Sequence, residues 1–487
     1  MSDSEIGERY GISFSTLERI ITEAYGANVS VLKRPKRIKR WQPTHFHEET
    51  TTVWSFKQRG NWATHDGRYR GNWSPYIPRN VILKYSRPGD VVLDHFVGGG
   101  TTAIEAKLLG RRCIARDINP GAVGITLENL KFSPPLELFG DGALPLYEPE
   151  VKVGDARDLS DISSDSIDLI CAHPPYAGIV KYSTKIEGDL SSLPVQDFLM
   201  EMRKVARESF RVLKPGGKCA ILIGDARKSK HVVPIGFQTI QVFLDAGFIL
   251  RELVIKRQHN CKTTGFWYTR SVQYNFLLLA HEYLPIFEKP FGGCTKEEWP
   301  IKECVLSHQS KLEKVHRVEK GNLEATTVWV FPQDYIETGL KRNILQRFSK
   351  GSEEFVQIQF SCGEYHFLNL SSVKNARVLF VRLAEQFTER SFAAYRTAIK
   401  KMVAQVRACF PSDGFLILET RDFRVGGRLV PTGLLLWEDM MRQKDFVLKE
   451  IIIVAPEEVL REEREQTEYL EIVHRYLLVY RKGENSN

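Results

Sequence analysis

Between residues 76 and 282, short apolar segments with the length of β-strands alternate with longer segments typical of α-helices. Such alternation predicts a mostly parallel sheet with helices on both faces, in one α/β domain. A polar loop alone joins the last two strands, so we expect these two to form an antiparallel hairpin at the sheet edge. The predicted strands are 90–96, 112–117, 166–172, 219–225, 248–256 and 273–281, and the predicted helices are 101–110, 122–130 and 195–213, the last closed by the turn KPGGK.

The rest of the chain repeats the first part in a shortened form. Four segments return in the same order: TTVWSF (51–56), RNVILKYS (79–86), GDARKSKHVVPIG (224–236) and AHEYLPIFEK (280–289) match TTVWVF (326–331), RNILQRFS (342–349), RDFRVGGRLVPTG (421–433) and VHRYLLVYRK (473–482). From Asn80 to Val233 there are 154 residues and from Asn343 to Val430 there are 88, so the second copy is 66 residues shorter (154 − 88). Because the order is preserved, we interpret the match as an internal duplication. The predicted domains are a helical and basic arm (1–45), a main domain (46–290), a linker (291–325) and a degenerate, non-catalytic repeat (326–487).

Composition narrows the class of protein. No apolar run reaches 18 residues and no signal-peptide core follows the N-terminus, so membrane insertion and export are not expected. The eight cysteines form no C-x-x-C pair, which argues against a metal site or a disulfide framework and suits the reducing cytoplasm. The formal net charge is +8, and six of the eight residues at 33–40 (KRPKRIKR) are basic. This segment, which follows predicted helices in 5–25, is either a solvated linker or an arm that contacts phosphates.

Three consecutive glycines, Gly98 to Gly100, lie between a predicted strand end and a helix start. Glycine allows close approach of the backbone to a ligand, and open α/β sheets bind ligands at this carboxyl edge. The spacing is neither G-x-G-x-x-G nor a P-loop, which disfavours phosphate binding. Asp117, at the end of the next strand, could accept hydrogen bonds from two ribose hydroxyls, and Asp155, after a third strand, could receive an adenine amino group. Each aspartate alone could equally be a helix cap or a turn former.

The segment His173-Pro174-Pro175-Tyr176 follows the strand predicted at 166–172. Two prolines fix φ and remove two N–H donors, so the turn is rigid and its carbonyls are available. A carbonyl and a side-chain acceptor held side by side can bind both hydrogens of an exocyclic amine, and Tyr176 offers a ring on which a base can stack. The alternative is a simple turn that ends a strand. The glycine loop upstream favours the functional interpretation.

Together, DHFVGGGTT and HPPY resemble the motifs of the amino-methyltransferases, the N4-cytosine/N6-adenine DNA methylases, over about residues 51–290. The resemblance includes GNWSPYIPRNVI (71–82), which is similar to the family segment beside the methionine end of the cofactor. It implies a Rossmann-like fold and S-adenosylmethionine as cofactor. The residues that it assigns to cofactor binding are Trp73, Pro78, Asp94, Phe96, Gly98, Gly100, Thr101, Asp117, Asn119, Asp155 and Ala156; those assigned to catalysis are His173, Pro174, Pro175 and Tyr176.

Two positions depart from the family pattern. His95 stands where the family commonly has proline, and His173 replaces the usual Asp, Asn or Ser. A neutral imidazole can accept a hydrogen bond from the target amine, whereas an imidazolium cannot. We therefore expect methyl transfer to fall as the pH drops through the pKa of His173, nominally about 6.5.

The segment KRQHNCKTTGFWYTR (256–270), predicted as the loop between the last two strands, mixes basic and aromatic residues. It is either a hairpin loop with one packed face or a nucleic-acid contact, which we favour. Its counterpart, APEEVLREEREQTEY (455–469), is strongly acidic. The predicted contact residues are Lys256, Arg257, His259, Lys262 and Arg270.

The sequence thus predicts a cytoplasmic DNA methyltransferase that acts on cytosine N4 or adenine N6, without a metal or a membrane, with a restriction enzyme as a partner left open. In duplex DNA the target base would have to leave the stack. The alternatives are an RNA methyltransferase that modifies a guanine exocyclic amine, and a catalytically decayed nucleic-acid-binding module. The second copy has neither a glycine loop nor a Pro-Pro-Tyr segment, so we expect it to bind no cofactor.

Overall fold

The computed structural model describes most of the chain: residues 38–65, 67, 69, 71–133, 145–177, 186–259, 264–292, 306–314, 324–349, 354–362, 373, 376–384, 386–443, 445–457 and 467–483. The predicted helices in 5–25 and most of the basic segment at 33–40 lie outside these residues. Below, residues 38–292 are called the first half and residues 306–483 the second half.

An eight-stranded sheet forms the centre of the first half. Its strands are β1 (Val53–Ser55), β2 (Val91–Asp94), β3 (Arg112–Asp117), β4 (Glu150–Val153), β5 (Ile167–Ala172), β6 (Leu213–Ile221), β9 (Ile249–Arg257) and β10 (His281–Glu288), with β7 (Ala226–Lys228) and β8 (His231–Val233) forming a separate hairpin. The order across the sheet is β1-β9-β10-β6-β5-β2-β3-β4. All neighbours run parallel except β10, which is antiparallel to β9 and to β6. The predicted α/β class with a mostly parallel sheet and an antiparallel hairpin of the last two strands, β9 and β10, is therefore confirmed.

Helices connect these strands and cover the sheet. They are α1 (Tyr76–Tyr85), α2 (Thr101–Leu108), α3 (Pro120–Asn129), α4 (Val195–Val212), α5 (Ile235–Asp245) and α6 (Thr264–Gln273). The start of α3 follows from its sequence, because the Asn119 side chain accepts from Gly121 N and proline occupies the first helical position. Among the described helices, none combines the length and apolarity that a bilayer span requires.

The last predicted strand and the predicted position of the hairpin both differ from the structure. The strand predicted at 273–281 is wrong: α6 ends at Gln273 and β10 begins only at His281. The apolar run between them has the composition of a strand, but these residues cross to the second half, where Leu278 forms a bridge with Thr326. Leu277 and Ala280 are buried. The hairpin is also not at the edge, because β1 pairs with the outer side of β9.

The turn KPGGK lies within β6 instead of before it. The register against β5 shifts from Ile167–Leu213 to Leu169–Lys218, so the residues between Leu213 and Lys218 form an irregularity in the strand. Gly216 has φ of 78°, which allows the bend. The strand predicted at 219–225 therefore corresponds to the second part of β6.

A seven-stranded sheet forms the second half, in the order β11-β13-β14-β15-β19-β18-β12. Its strands are β11 (Leu306–Lys314), β12 (Val328–Phe331), β13 (Glu354–Cys362), β14 (Ala376–Leu383), β15 (Phe415–Thr420), β18 (Phe446–Pro456) and β19 (Arg475–Lys482), with β16 (Phe423–Val425) and β17 (Arg428–Val430) as a hairpin. Its described helices of eight or more residues are α7 (Ile336–Phe348), α8 (Glu389–Val406) and α9 (Thr432–Met441).

The topology of the second half repeats that of the first. Read from the edge, β12-β18-β19-β15-β14-β13 takes the places of β1-β9-β10-β6-β5-β2, and β19, like β10, is the antiparallel strand. Val53 pairs with Ile255 as Val328 pairs with Ile453, so even the register is retained. The second half thus has the topology and the register that an internal duplication predicts.

The residues absent from the second copy are those of the β3 and β4 region. In the first half, α2, β3, α3 and β4 lie between β2 and β5, whereas β13 and β14 are separated only by residues 363–375. That interval is too short for two strand–helix units. The shortening therefore removes the strands that follow the glycine loop.

The interval 291–325 is more than the predicted linker. Residues 306–314 form β11, which pairs antiparallel with β13 along its whole length. In the first sheet β3 occupies the corresponding side of β2. A strand from the linker thus covers the edge that the loss of β3 would expose.

Candidate active site

The glycine loop between β2 and α2 is closely packed and has a fixed conformation. Gly98 and Gly100 have φ values of 52° and 88°, a region that glycine adopts without strain. A Cβ atom on Gly100 would lie 2.9 Å from Cγ2 of Thr126, so a larger residue would clash. At the start of the loop, Oδ1 of Asp94 accepts a hydrogen bond from the backbone N of Phe96 at 3.0 Å. Because the loop residues are glycines, a ligand in the cleft can contact the loop backbone directly.

Asp117 closes the loop from the neighbouring strand β3. Its Oδ2 accepts from Gly98 N and its Oδ1 from Asn119 N, both at 2.9 Å. Burial raises the pKa of Asp117 to about 6, although these two hydrogen bonds favour the charged form. A carboxylate held in this way can still accept further hydrogen bonds from a ligand, because each oxygen has two lone pairs.

The His-Pro-Pro-Tyr segment starts where β5 ends, directly beside β2. Val92 pairs with Leu169 and Leu93 with Ile170 in parallel register, so the carboxyl ends of β2 and β5 lie at one edge of the sheet. One cleft is lined both by the glycine loop and by this segment, and it encloses about 790 Å³ including its open mouth. The two motifs therefore open onto the same space.

His173 is packed within this cleft. Its imidazole stacks on Trp73 with ring centroids 5.5 Å apart, and its Nε2 lies 2.9 Å from the hydroxyl of Tyr176. The ring also has a hydrogen bond with the Gly71 backbone. Burial lowers the pKa of His173 to about 4. The imidazole is therefore neutral at pH 6.5, and the inflection that we expected at that pH has to be moved to about pH 4.

Tyr176 belongs to a chain of polar groups behind the cleft. Its hydroxyl donates to Oε1 of Glu282 at 2.5 Å, so the phenolic oxygen accepts from Nε2–H of His173. Glu282 lies in β10, and its Oε2 accepts from Nζ of Lys256 at 2.8 Å. Burial alone would raise the pKa of Glu282, but Lys256 and the hydrogen bonds outweigh it and hold the pKa at about 2. The negative charge of Glu282 thus holds Tyr176, the candidate catalytic tyrosine, in place. Nothing in the sequence around Glu282 indicates this role.

The structure brings most of the predicted site residues to the cleft. Those that line it are Trp73, Phe96, Gly98, Asp117, Asn119, Asp155, Ala156, His173 and Pro175. Six other predicted residues do not line the cleft: Pro78, Asp94, Gly100, Thr101, Pro174 and Tyr176. Of these, Pro78 is buried in α1. Asp94, Gly100 and Thr101 instead support the loop from behind; the Thr101 hydroxyl, for example, donates to Oδ1 of Asn72 at 2.5 Å.

Asp189 is a cleft residue that the sequence did not single out. It is buried, and its Oδ1 accepts from Ser191 N at 2.9 Å. Its Oδ2 has no hydrogen-bond partner among the residues that the structure describes. It is close enough to Asp117 to raise the pKa of that carboxyl. A buried carboxylate oxygen without a partner is a binding group for a ligand N–H or O–H. In sequence Asp189 resembles an ordinary helix cap, because it directly precedes a short helical turn at Leu190–Ser192.

Asp155, predicted to receive an adenine amino group, is already bound by another residue. Both of its oxygens accept from the Arg157 guanidinium, with Oδ2 2.6 Å from Nη2. Arg157 also donates to Glu201 and to the carbonyl of Gly188, the residue directly before Asp189. Asp155 therefore contributes less free acceptor capacity to the cleft than Asp189 does.

The predicted nucleic-acid contacts do not share one loop. Lys256 and Arg257 belong to β9, and the Lys256 charge is paired with Glu282 inside the protein instead of being available to phosphate. His259 Nε2 lies 2.8 Å from the Ser55 hydroxyl. Arg270 lies in α6, a helix where we expected a loop, and stacks over Trp267 at 5.1 Å. Lys262 lies outside the described residues.

The cofactor predicted from the sequence fits these residues. The compact glycine loop supplies backbone that a ligand can approach closely. The Asp117 carboxylate and Oδ2 of Asp189 supply acceptors for hydroxyl and amino groups. Within the part of the chain that the structure describes, no group of three or more His, Cys, Asp or Glu side chains has the arrangement of a metal site.

Comparisons with known proteins agree with this site. Residues 24–128 match the family model of the N6/N4 type described as DNA methylase. The Type II methyltransferase M.MthZI of Methanothermobacter thermautotrophicus is 30% identical over 164 residues, covering 29% of this chain and 46% of the relative. The Type II methyltransferase M.BsoBI of Geobacillus stearothermophilus is 33% identical over 101 residues, 20% of this chain and 19% of the relative.

A relative with a different substrate also matches. The tRNA (guanine(10)-N2)-dimethyltransferase of Methanothermobacter thermautotrophicus is 35% identical over 132 residues, covering 27% of this chain and 34% of the relative. This chain thus spans less than half the length of each of these relatives. The matched residues 24–128 contain the glycine loop and Asp117, so this part of the chain is similar to the DNA methylases of the N6/N4 type. The Pro-Pro-Tyr segment follows the matched region and begins at the same cleft.

Proposed function

We propose that the protein is an S-adenosylmethionine-dependent methyltransferase that modifies the exocyclic amine of a nucleic-acid base, cytosine N4 or adenine N6 in DNA. The observation that carries this proposal is the shared cleft of the glycine loop and the His-Pro-Pro-Tyr segment. The alternative, methylation of a guanine amine in RNA, is supported by the tRNA methyltransferase among the relatives. A restriction enzyme as partner rests on the names of the Type II relatives alone.

Cofactor binding is proposed for the glycine-loop side of the cleft. The Gly98 backbone and the carboxylates of Asp117 and Asp189 would hold the cofactor. When bound, the cofactor supplies an electrophilic methyl group. Of the predicted residues, Asp155 is assigned a supporting role, because Arg157 occupies its carboxylate. Trp73 closes the cleft toward His173, on which it stacks.

The target amine is proposed to bind at the proline corner. The Pro174 carbonyl can accept a hydrogen bond from the amine, and this bond strengthens as positive charge develops on nitrogen. His173 is engaged by Tyr176 and by the Gly71 backbone. We therefore assign it to positioning Tyr176 and the corner, and this replaces the amine-accepting role that the motif suggested. Most of the acceleration would come from holding the two reactants in place.

Nucleoside analysis tests the proposed function. DNA and RNA from cells with and without the gene would be digested and their methylated nucleosides quantified by mass spectrometry. N4-methylcytosine or N6-methyladenine that depends on the gene supports the DNA proposal. A methylguanine found only in RNA would transfer the activity to the alternative. No difference in either nucleic acid, with purified protein that also fails to bind S-adenosylmethionine in calorimetry, would reject both.

Replacing Asp189 with asparagine should weaken S-adenosylmethionine binding by about tenfold, because the charged acceptor Oδ2 is lost while the shape is retained. Isothermal titration calorimetry measures the change. Asp161, whose carboxylate pairs with Arg116 away from the cleft, provides the matched control variant Asp161→Asn, with binding within about twofold. Equal weakening by both variants would contradict the assignment of Asp189.

Cofactor affinity and turnover should respond to pH at different values. The pKa of Asp117 is raised to about 6, so below that pH the carboxyl is protonated and S-adenosylmethionine binding should weaken by up to about tenfold per pH unit. At saturating cofactor the rate should remain flat until His173 is protonated near its pKa of about 4. Kd by calorimetry and single-turnover rates from pH 8 to pH 4.5 separate the two. A rate that falls at pH 6.5 with unchanged Kd would restore the original role of His173.

A further inference from the structure

The two halves meet through contacts that occur in equivalent pairs. In one pair, Nδ1 of His281 lies 2.8 Å from Oγ1 of Thr327; in the other, Nδ1 of His474 lies 2.8 Å from Oγ1 of Thr52. Thr52 and Thr327 are equivalent in the duplication, as are His281 and His474. In one contact the first half supplies the histidine and the second half the threonine. In the other contact the second half supplies the histidine and the first half the threonine.

The hydrogen bonds continue from each histidine into its own half in the same way. Nε2 of His281 lies 3.0 Å from the Tyr283 hydroxyl, which donates to Asp225, and Nε2 of His474 lies 2.8 Å from the Tyr476 hydroxyl, which donates to Asp422. Both tyrosine hydroxyls are buried. Each threonine oxygen also accepts a backbone N–H from the other half, that of Ala280 or Val473.

Ion pairs repeat the pattern. Arg227 of the first half binds the buried carboxylate of Glu450 in the second with both terminal nitrogens, at 3.0 and 2.6 Å. Its mate Arg424 binds the buried Glu252 of the first half. Oε1 of Glu450 accepts from Leu277 N and Oε1 of Glu252 from Leu470 N, both at 3.1 Å.

The backbone follows the same rule. Leu278 N donates to Ala325 O while Thr327 N donates to Leu278 O, and Glu471 N donates to Thr50 O while Thr52 N donates to Glu471 O. Every member of these contacts has the same residue type in the other half, or is backbone. A surface that contains both members of each pair is self-complementary, which is the requirement for a twofold interface between identical subunits.

We infer that the second half is a built-in second subunit: it occupies the face that the first half would otherwise offer to a second copy of itself. The chain is then a monomer with one complete glycine-loop cleft, which lies in the first half. The two halves fold as one unit. This inference does not rest on the proposed methylation. It gives the second half a defined task, because His281, held by Thr327, directly precedes Glu282 in β10.

Calorimetry on the full chain tests the inference with symmetric variants. The wild type should unfold in one transition, and Thr327→Val and Thr52→Val should each lower its midpoint by about 2–6 °C, since each leaves a buried histidine nitrogen and a buried N–H without a partner. The control is Thr239→Val, in which a buried hydroxyl without a hydrogen-bond partner is removed, with a shift of less than about 1 °C. If Thr327→Val fails to fold, Thr327→Ser, which keeps the hydroxyl, should restore the wild-type midpoint to within about 2 °C.

Two separate transitions, each moved only by the substitution in one half, would overturn the inference. Sedimentation provides the second measurement. The expected species is the monomer of 55.8 kDa, and a stable dimer at micromolar concentration would mean that a second copy is still required.

Discussion

Replacing Glu282 with glutamine should lower the methyl-transfer rate about 100-fold while S-adenosylmethionine binding stays within about twofold. Glutamine keeps the size of the side chain but removes the charge that accepts from Tyr176 and pairs with Lys256. The partly buried ammonium of Lys256 is then left without its counter-charge. Tyr176 keeps only a neutral amide acceptor in place of the carboxylate that fixes its ring and, through it, His173. Glu282 is not among the residues that line the cofactor cleft, so binding should be spared.

The measurement is a single-turnover rate at saturating cofactor, on the nucleic acid identified by nucleoside analysis, with calorimetry for binding. Glu288→Gln is the matched control, because Glu288 lies at the other end of β10 and pairs with Lys218 and Arg251, each at 3.2 Å. An unchanged rate in Glu282→Gln would remove Glu282 from the site. An equal loss in Glu288→Gln would show that the rate responds to the stability of the strand and not to Tyr176.

Replacing Arg79 with methionine should lower the free energy of unfolding by about 3–5 kcal/mol. The reason is Glu105, which is fully buried in α2 and accepts from Arg79 at 2.9 Å, from His65 at 2.6 Å and from Trp62 at 2.6 Å. Burial alone would raise the pKa of Glu105, and Arg79 is the main group that outweighs it and lowers the pKa. Without Arg79 the carboxylate is a buried charge with no full counter-charge, one turn after the glycine loop.

Urea unfolding at pH 7 measures this loss. In the described part of the chain, the side chain of Arg342, the equivalent residue of the second half, has a single hydrogen bond, to the Tyr335 hydroxyl at 3.5 Å. Arg342→Met should therefore cost less than about 1 kcal/mol. In Arg79→Met the pKa of Glu105 should rise above its unfolded value, so the deficit should shrink as the pH falls from 7 toward 5 and the carboxyl is protonated. A deficit that is small at pH 7, or that is independent of pH, would contradict the account.

The duplication explains how the two halves can share a scaffold and differ in chemistry. The strands that form the interface, β9 and β10 with β18 and β19, are present in both copies. The strand that carries Asp117, β3, and its neighbour β4 are found in the first half only, among the residues that the structure describes. The second half therefore lacks a counterpart of Asp117, which is proposed to bind the cofactor, but keeps the strands of the shared interface.

Several features of the site could be predicted from short stretches of sequence. The glycine loop, the acidic end of β3 and the proline corner after β5 are encoded by neighbouring residues, and the rule that parallel strands end at one edge was sufficient to bring them together. The roles of Lys256 and Asp155 could not be predicted in this way. Each depends on a partner brought in by the fold, Glu282 for Lys256 and the conformation of Arg157 for Asp155.

The alternation of strands and helices up to β9, the positions of the two motifs and the match between the two copies were determined by the sequence alone. They depend on local periodicity, on proline and glycine, or on the comparison of one copy with the other. The tertiary structure alone decided which charges are paired and which pKa values shift. Tyr176 meets Glu282 across 106 residues, and Thr52 meets His474 across 422. Such contacts leave no local pattern, because burial and hydrogen bonding depend on the chain that packs from elsewhere, and burial likewise places the pKa of His173 near 4.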